Sequence, residues 1–208
     1  MNKFESTQAA QVGAAPTALA MSTSAPGAAG ATNLAVALAQ AQSEQTTAAD
    51  VPALCARLGE LLVERCWVLA TAESCTGGLI AAACTEAPGS SEWFDRGFVS
   101  YSSEAKRTLL GVDPQLIQEN GSVSEAVVQA MVEGAVAQSA ARVALAVTGV
   151  AGPTGGSEEK PVGTVWFGWS VSGNTRCERR LFEGDRQTVR SAAVHYALQE
   201  AVTMVQSS

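Results

Sequence analysis

A serine and a cysteine stand side by side in TAESCTGGLIAAA, residues 71–83, between an apolar run and a helix-like one. Either side chain can attack a carbonyl carbon once deprotonated, and the oxyanion that forms then needs N–H donors. The first N–H groups of the following helix, near Thr76, Gly77 and Gly78, are candidates for that role. The two glycines would let a substrate approach the backbone closely. A turn from strand to helix at the carboxyl end of a central strand is also where open α/β sheets place ligands. The bland reading is a Ser N-cap followed by glycines that solve only a steric problem.

Ser74 needs a base. His195 is the lone histidine, and it lies in a helical pattern beside Ala193, Val194 and Tyr196, which reads as a packing or surface position and not as the base of a Ser-His-Asp triad. Lysine is scarce: Lys3, Lys106 and Lys160 are the whole set. Lys106 follows Tyr101 by five positions in SYSSEAK, where a strand gives way to a helix, so the two could converge over the edge that carries Ser74. An ordinary lysine, with a pKa of about 10.4, is neutral in only roughly one molecule in a few thousand at pH 7. A basic Lys106 therefore requires desolvation or a neighbouring cation such as Arg107; the alternative is a solvated lysine paired with Glu104 or Asp113. Cys75 is intrinsically the better nucleophile, but its position directs it away from Ser74, and it reads as a small buried residue.

The loop TGVAGPTGGSEEKPVG carries Gly149, Gly152, Gly155 and Gly156 without a G-K-[ST] triplet, so it is no Walker A loop. Its amides suit an anion nest, or the loop is a long connection that needs positive φ. No G-x-G-x-x-G follows the first strand, and the Y-x-x-x-x-K spacing is one residue longer than that of short-chain dehydrogenases. Five cysteines without C-x-x-C spacing and one histidine build no familiar metal site, so neither metal nor cofactor is expected.

The elements that must position these residues follow from periodicity. DVPALCARLGELLVERC reads as an amphipathic helix with Asp50 as N-cap and Pro52 near its first turn. WVLATA is a buried strand, GLIAAACTEA a small-residue helix, GFVSY a second strand and SEAKRTLLGV a short helix. Ser122 with Glu125 forms a capping-box pattern before a second strong helix, and RVALAVT follows as a strand. TVWFGWSV and RCERRLF form a late antiparallel hairpin around SGN, and a helix from about Asp185 closes the chain. The expected fold is a three-layer α/β/α sandwich around a mixed sheet.

Residues 1–49 are mostly Ala, Ser, Thr, Gln, Gly and Pro, too poor in large apolar side chains to offset the entropy of ordering, so residues 50–208 form the expected domain. A signal peptide fits the start MNKFE poorly, because no uninterrupted apolar core follows; a cytoplasmic protein with reduced thiols is expected. No apolar run is long enough to span a bilayer. The net charge of −7 and the lack of a basic stripe argue against a nucleic-acid partner.

Taken together, TAESCTGG, GSSEWFDRGFVSYSSEAKRTLLGV, NGSVSEAVV, TGVAGPTGGSEEKPVGTVWFG and EGDRQTVR resemble the C-terminal domain of the competence/damage-inducible CinA family, from about Leu58 to Gln199. Stand-alone members of that family are nicotinamide-nucleotide amidases. The resemblance implies a metal-independent serine amidase that converts nicotinamide mononucleotide to nicotinate mononucleotide and ammonia, with Ser74 as nucleophile and Tyr101 and Lys106 as its partners. It also implies Lys160 and the glycine-rich loop as candidates for the 5′-phosphate, and a possible homodimer, which the aromatic strand VWFGW would suit unless that strand is simply core. Ser103 stands where the family usually shows Asn. Longer members carry an upstream nucleotide-processing domain; here that place holds the low-complexity tail. The rival expectation is a non-catalytic nucleotide-binding or competence-associated interaction module, which needs no Ser74–Lys106 pair.

Overall fold

The computed structural model describes residues 50–208; the expected tail 1–49 and its boundary lie outside the described residues. Helix α1 occupies residues 50–64, with Asp50 already helical. The elements that follow are β1 (Leu69–Glu73), α2 (Leu79–Glu86), a 3-10 turn (Ser90–Glu92), β2 (Phe94–Val99), α3 (Ser103–Leu110), α4 (Pro114–Asn120), α5 (Glu125–Ala137), β3 (Val143–Gly149), β4 (Thr164–Val171), β5 (Asn174–Leu181) and α6 (Arg186–Gln206). The five strands form one sheet in the order β2-β1-β3-β4-β5. β1 runs parallel to β2 and β3, whereas β4 is antiparallel to both β3 and β5. This is the expected mixed sheet with its late hairpin, covered by helices on both faces.

Strand alternation divides the core in two. Leu69, Val143, Leu145, Val147, Val165, Phe167 and Trp169 point to the face covered by α1, α2 and α6. Phe167 and Trp169 stack there with centroids 5.5 Å apart, and the Trp169 indole donates to the Ala197 carbonyl of α6 at 3.0 Å. These two aromatic residues of β4 are therefore core, and they lend no support to a homodimer built on that strand. The opposite face presents Ala72, Ala144, Ala146 and Gly168 to α5, and these small residues let that helix lie close to the sheet. The approach continues outward: a Cβ on Gly134 of α5 would stand 2.0 Å from the Leu110 carbonyl oxygen. Only glycine lets the end of α3 dock there.

Two local readings change. The N-cap of α5 is Ser124, which accepts from the Val127 N–H, rather than Ser122. The Ser122 carbonyl is instead taken by the Thr148 hydroxyl at 2.8 Å, so the helix starts two residues later than the capping-box pattern implies. Helix α4 is an addition, begun by the Asp113 cap and Pro114 in its first turn.

Candidate active site

β1 lies between β2 and β3; α2 leaves its carboxyl end toward one face and α3 leaves that of β2 toward the other, which places Ser74 at the kind of switch in strand order where α/β sheets bind ligands. The ladders run one residue beyond the strands. Ser74 N–H donates to the Val147 carbonyl at 2.9 Å, and Ser100 N–H donates to the Glu73 carbonyl at 2.8 Å. Ser74 and Ser100 are thereby fixed side by side before the chain turns into α2 and α3.

Helix α3 supplies the lysine. Ser102 caps it, Leu110 docks at Gly134, and Lys106 shares the inner face with Leu110 one turn earlier. The Lys106 amine lies 3.0 Å from Ser74 Oγ and 3.0 Å from the Ser100 carbonyl oxygen. Its side chain is buried, at 1% exposure, and burial pulls its pKa below the ordinary 10.5. The two carboxylates considered as partners are engaged elsewhere: Glu104 binds Arg107, and Asp113 caps α4. Desolvation, not Arg107, is therefore what moves Lys106 toward its neutral form. Tyr101 is placed differently. It is 59% exposed at the rim, and its hydroxyl accepts from Arg186 of α6 at 3.2 Å. Among the described residues no hydrogen bond joins it to Ser74 or Lys106.

The turn that carries Ser74 is held from inside by a residue the sequence reading did not single out. Glu73 is buried, at 1% exposure, and its carboxylate accepts from the N–H groups of Gly78, Ile80 and Ala81 at 2.9, 3.1 and 2.8 Å. These are the donors that begin α2, so Glu73 caps that helix through space rather than from the N-cap position. From outside, Arg190 of α6 donates to the Cys75 and Thr76 carbonyls at 3.0 and 2.9 Å. The only local signal for Glu73 was an acid just before a helix start; Arg190 had none.

This bonding narrows the expected oxyanion donors. The Gly77 N–H is taken by the Ser74 carbonyl and the Gly78 N–H by Glu73, so neither is available. The N–H groups of Cys75 and Thr76 bond to no oxygen among the described residues and meet only the Cys75 sulfur, a weak acceptor. Gly77 and Gly78 take φ of 62° and 96°, which the turn requires. Burial pushes the Cys75 thiol up to about 12, which makes it inert at neutral pH.

The glycine-rich loop serves mainly as a connection. Gly152, Gly155 and Gly156 adopt positive φ, while Gly149 closes β3 against β4. N–H groups of Ser157, Lys160 and Gly163 bond within this loop region, and the Lys160 ammonium donates to the Asn120 carbonyl at the end of α4. His195 faces Asp50 of α1 at 4.0 Å. Among the described residues no three His, Cys, Asp or Glu side chains group as metal ligands, and no helix is long and apolar enough to cross a membrane.

Replacing Glu73 by Gln puts an amide NH2 against helix N–H donors and removes the charge from those bonds. Hydrogen bonds to a charged group are worth about 1.5–3 kcal/mol each, so a loss of about 2–4 kcal/mol is expected. Urea unfolding of Glu73→Gln measures it; an unchanged midpoint would show that the carboxylate does not hold α2 in place.

The profile described as the CinA C-terminal domain matches residues 52–205. The nicotinamide-nucleotide amidohydrolase PncC of Pseudomonas putida is 53% identical over 148 residues, covering 71% of this chain and 92% of that protein. The protein of the same name from Escherichia coli (strain K12) is 47% identical over 154 residues, covering 74% and 93%. The crystal structure of competence damage-inducible protein A from Klebsiella pneumoniae superposes with a TM-score of 0.72 at 43% identity, covering 74% of this chain and 95% of that one. The chain belongs to the CinA C-terminal domain family.

Proposed function

We propose that the protein is a nicotinamide-nucleotide amidase that hydrolyses the carboxamide of nicotinamide mononucleotide through a Ser74–Lys106 pair. The observation that carries this reading is the amine of Lys106, buried, without a carboxylate partner among the described residues and 3.0 Å from Ser74 Oγ. A neutral amine there donates one N–H to the Ser100 carbonyl and turns its lone pair to the serine hydroxyl. A binding module has no use for a lysine desolvated against a serine. The names and extent of the amidohydrolase relatives point the same way.

In this mechanism Ser74 Oγ attacks the carboxamide carbon as its proton passes to Lys106. The N–H groups of Cys75 and Thr76 hold the tetrahedral oxyanion. Lys106 then returns the proton to the departing nitrogen, which leaves as ammonia, and an ester to Ser74 remains. Water attacks that ester, Lys106 takes the water's proton and passes it to Ser74 Oγ, and nicotinate mononucleotide is released. Tyr101, held by Arg186, borders the entrance rather than serving as the base. The reading takes residues 50–208 as the amidase unit of a cytoplasmic enzyme.

Ammonia release from nicotinamide mononucleotide by the purified protein, with and without EDTA, is the test. EDTA-resistant release with one ammonia per nicotinate mononucleotide is expected. Nucleotide binding without release would favour the binding module instead.

A further inference from the structure

Ordinary pairing accounts for most of the arginines. Arg57, Arg65, Arg96, Arg107, Arg176 and Arg180 each meet a carboxylate. Among the described residues Arg142, Arg179, Arg186 and Arg190 meet no carboxylate; of these Arg186 and Arg190 lie one turn apart on α6 and bond there to the Gly152, Cys75 and Thr76 carbonyls and the Tyr101 hydroxyl. Among the described residues each of these two guanidinium groups commits two of its N–H donors, fewer than half. Both line an open cleft of about 650 Å³, bordered also by Leu79, Pro153 and Gln187, at the positive end of the 21-residue helix α6. The one carboxylate of its lining, Asp185, is occupied in capping α6 through the Thr188 N–H and hydroxyl.

The cleft is tied to the reaction centre by covalent neighbours. Arg190 holds the carbonyls of the two residues that follow Ser74, and Arg186 holds Tyr101 at the rim. Another cleft of similar size, about 610 Å³, lies at the amino ends of β1 and β2 beside Trp93, and Glu60, Glu64 and Glu92 line it. Its charge has the wrong sign for an anion, and it lies at the end of the sheet away from Ser74.

We propose that the α6 cleft binds the phosphate monoester of the substrate, with Arg186 and Arg190 as its cations. A phosphate monoester carries close to two negative charges at neutral pH and matches paired guanidinium forks. This assignment rests on the amidase reading and replaces Lys160 and the glycine-rich loop as the expected phosphate site. The cleft then sets the substrate class: a pyridine ribonucleotide is held with its carboxamide over Ser74, whereas the riboside lacks the anchoring charge.

The test compares nicotinamide mononucleotide with nicotinamide riboside in the parent, Arg186→Gln, Arg190→Gln and Lys160→Gln. It adds calorimetric titration of each protein with nicotinate mononucleotide. Arg186→Gln is expected to lower kcat/KM for the nucleotide about 10²-fold, mainly through KM, and to move the nucleotide-to-riboside ratio toward one. Arg190→Gln should do the same and also lower kcat, because it supports the Ser74 turn. Product affinity should fall in both arginine variants and persist in Lys160→Gln. Parental KM and product affinity in both arginine variants would overturn the cleft while leaving the amidase reading intact. A parent that binds the nucleotide through these arginines but releases no ammonia would overturn the amidase reading and leave the cleft.

Discussion

Ser74→Ala is expected to lower ammonia release by about 10⁴-fold or more, the scale seen when a covalent nucleophile is removed from a unit that works as one. The hydroxyl sits on a turn fixed by two ladder bonds, by Glu73 from within and by Arg190 from without, so its loss leaves the surroundings in place. The variant should therefore still bind nicotinate mononucleotide. A rapidly quenched parent reaction should show, by intact mass, a covalent nicotinate-mononucleotide ester that is absent from the variant. Cys75→Ala provides the contrast. With its thiol pushed up to about 12, thiolate is present in about one molecule in 10⁵ at pH 7. Its replacement should change the rate only a few-fold, through packing. Loss of activity in the cysteine variant with a folded protein and an active Ser74→Ala would reverse the assignment.

How much of this was legible in the sequence depends on how far each partner lies along the chain. The turn TAESCTGG announces itself locally, since an apolar run, a serine and two glycines specify a strand, a bend and a helix start. Lys106 stood out by elimination among three lysines, but its burial did not. That depends on Leu110 docking where Gly134 has no Cβ, a contact between α3 and α5 without a local pattern. Tyr101 lies five positions from Lys106, which placed it near the site and left its hydroxyl's direction open. That direction is set by Arg186, 85 residues onward. Arg190, 114 residues from Thr76, was equally unreadable. Helix α4 does have local signals: Asp113-Pro114 is a start signal, and Gly121 ends the helix. At Ser122 the local capping box lost to a tertiary partner, the Thr148 hydroxyl. An interior place for β1 was expected and is found, between β2 and β3, whereas the order of the other strands has no local signal.

Lys106→Met and Lys106→Arg should both lower turnover by about 10³-fold or more, at the upper part of the range for a general base. The pair is informative because arginine keeps the charge yet cannot give up its proton near neutrality. An active arginine variant would make the role of Lys106 electrostatic. Tyr101→Phe should lose far less; a loss equal to that of Lys106→Met would move the base to the phenol. The parent's rate should rise with pH as the buried amine deprotonates and level off above its lowered pKa. Stability changes in the same direction. Below the folded-state pKa both the folded and the unfolded protein hold the proton, and the cost of burying the ammonium is fully present. Between that value and the ordinary 10.5 the unfolded chain binds the proton that the folded protein has shed, so stability increases with pH. Lys106→Met removes this dependence. It should melt higher than the parent on the acid side, by about 2–4 °C for each kcal/mol regained in a domain of this size. The advantage should shrink toward pH 10.5, where the amine is neutral in both states and methionine leaves Ser74 and the Ser100 carbonyl without a partner. Parallel melting curves of parent and variant across that range would show that Lys106 is not buried as a charge below its pKa. The neutral-amine mechanism would then lose its physical basis.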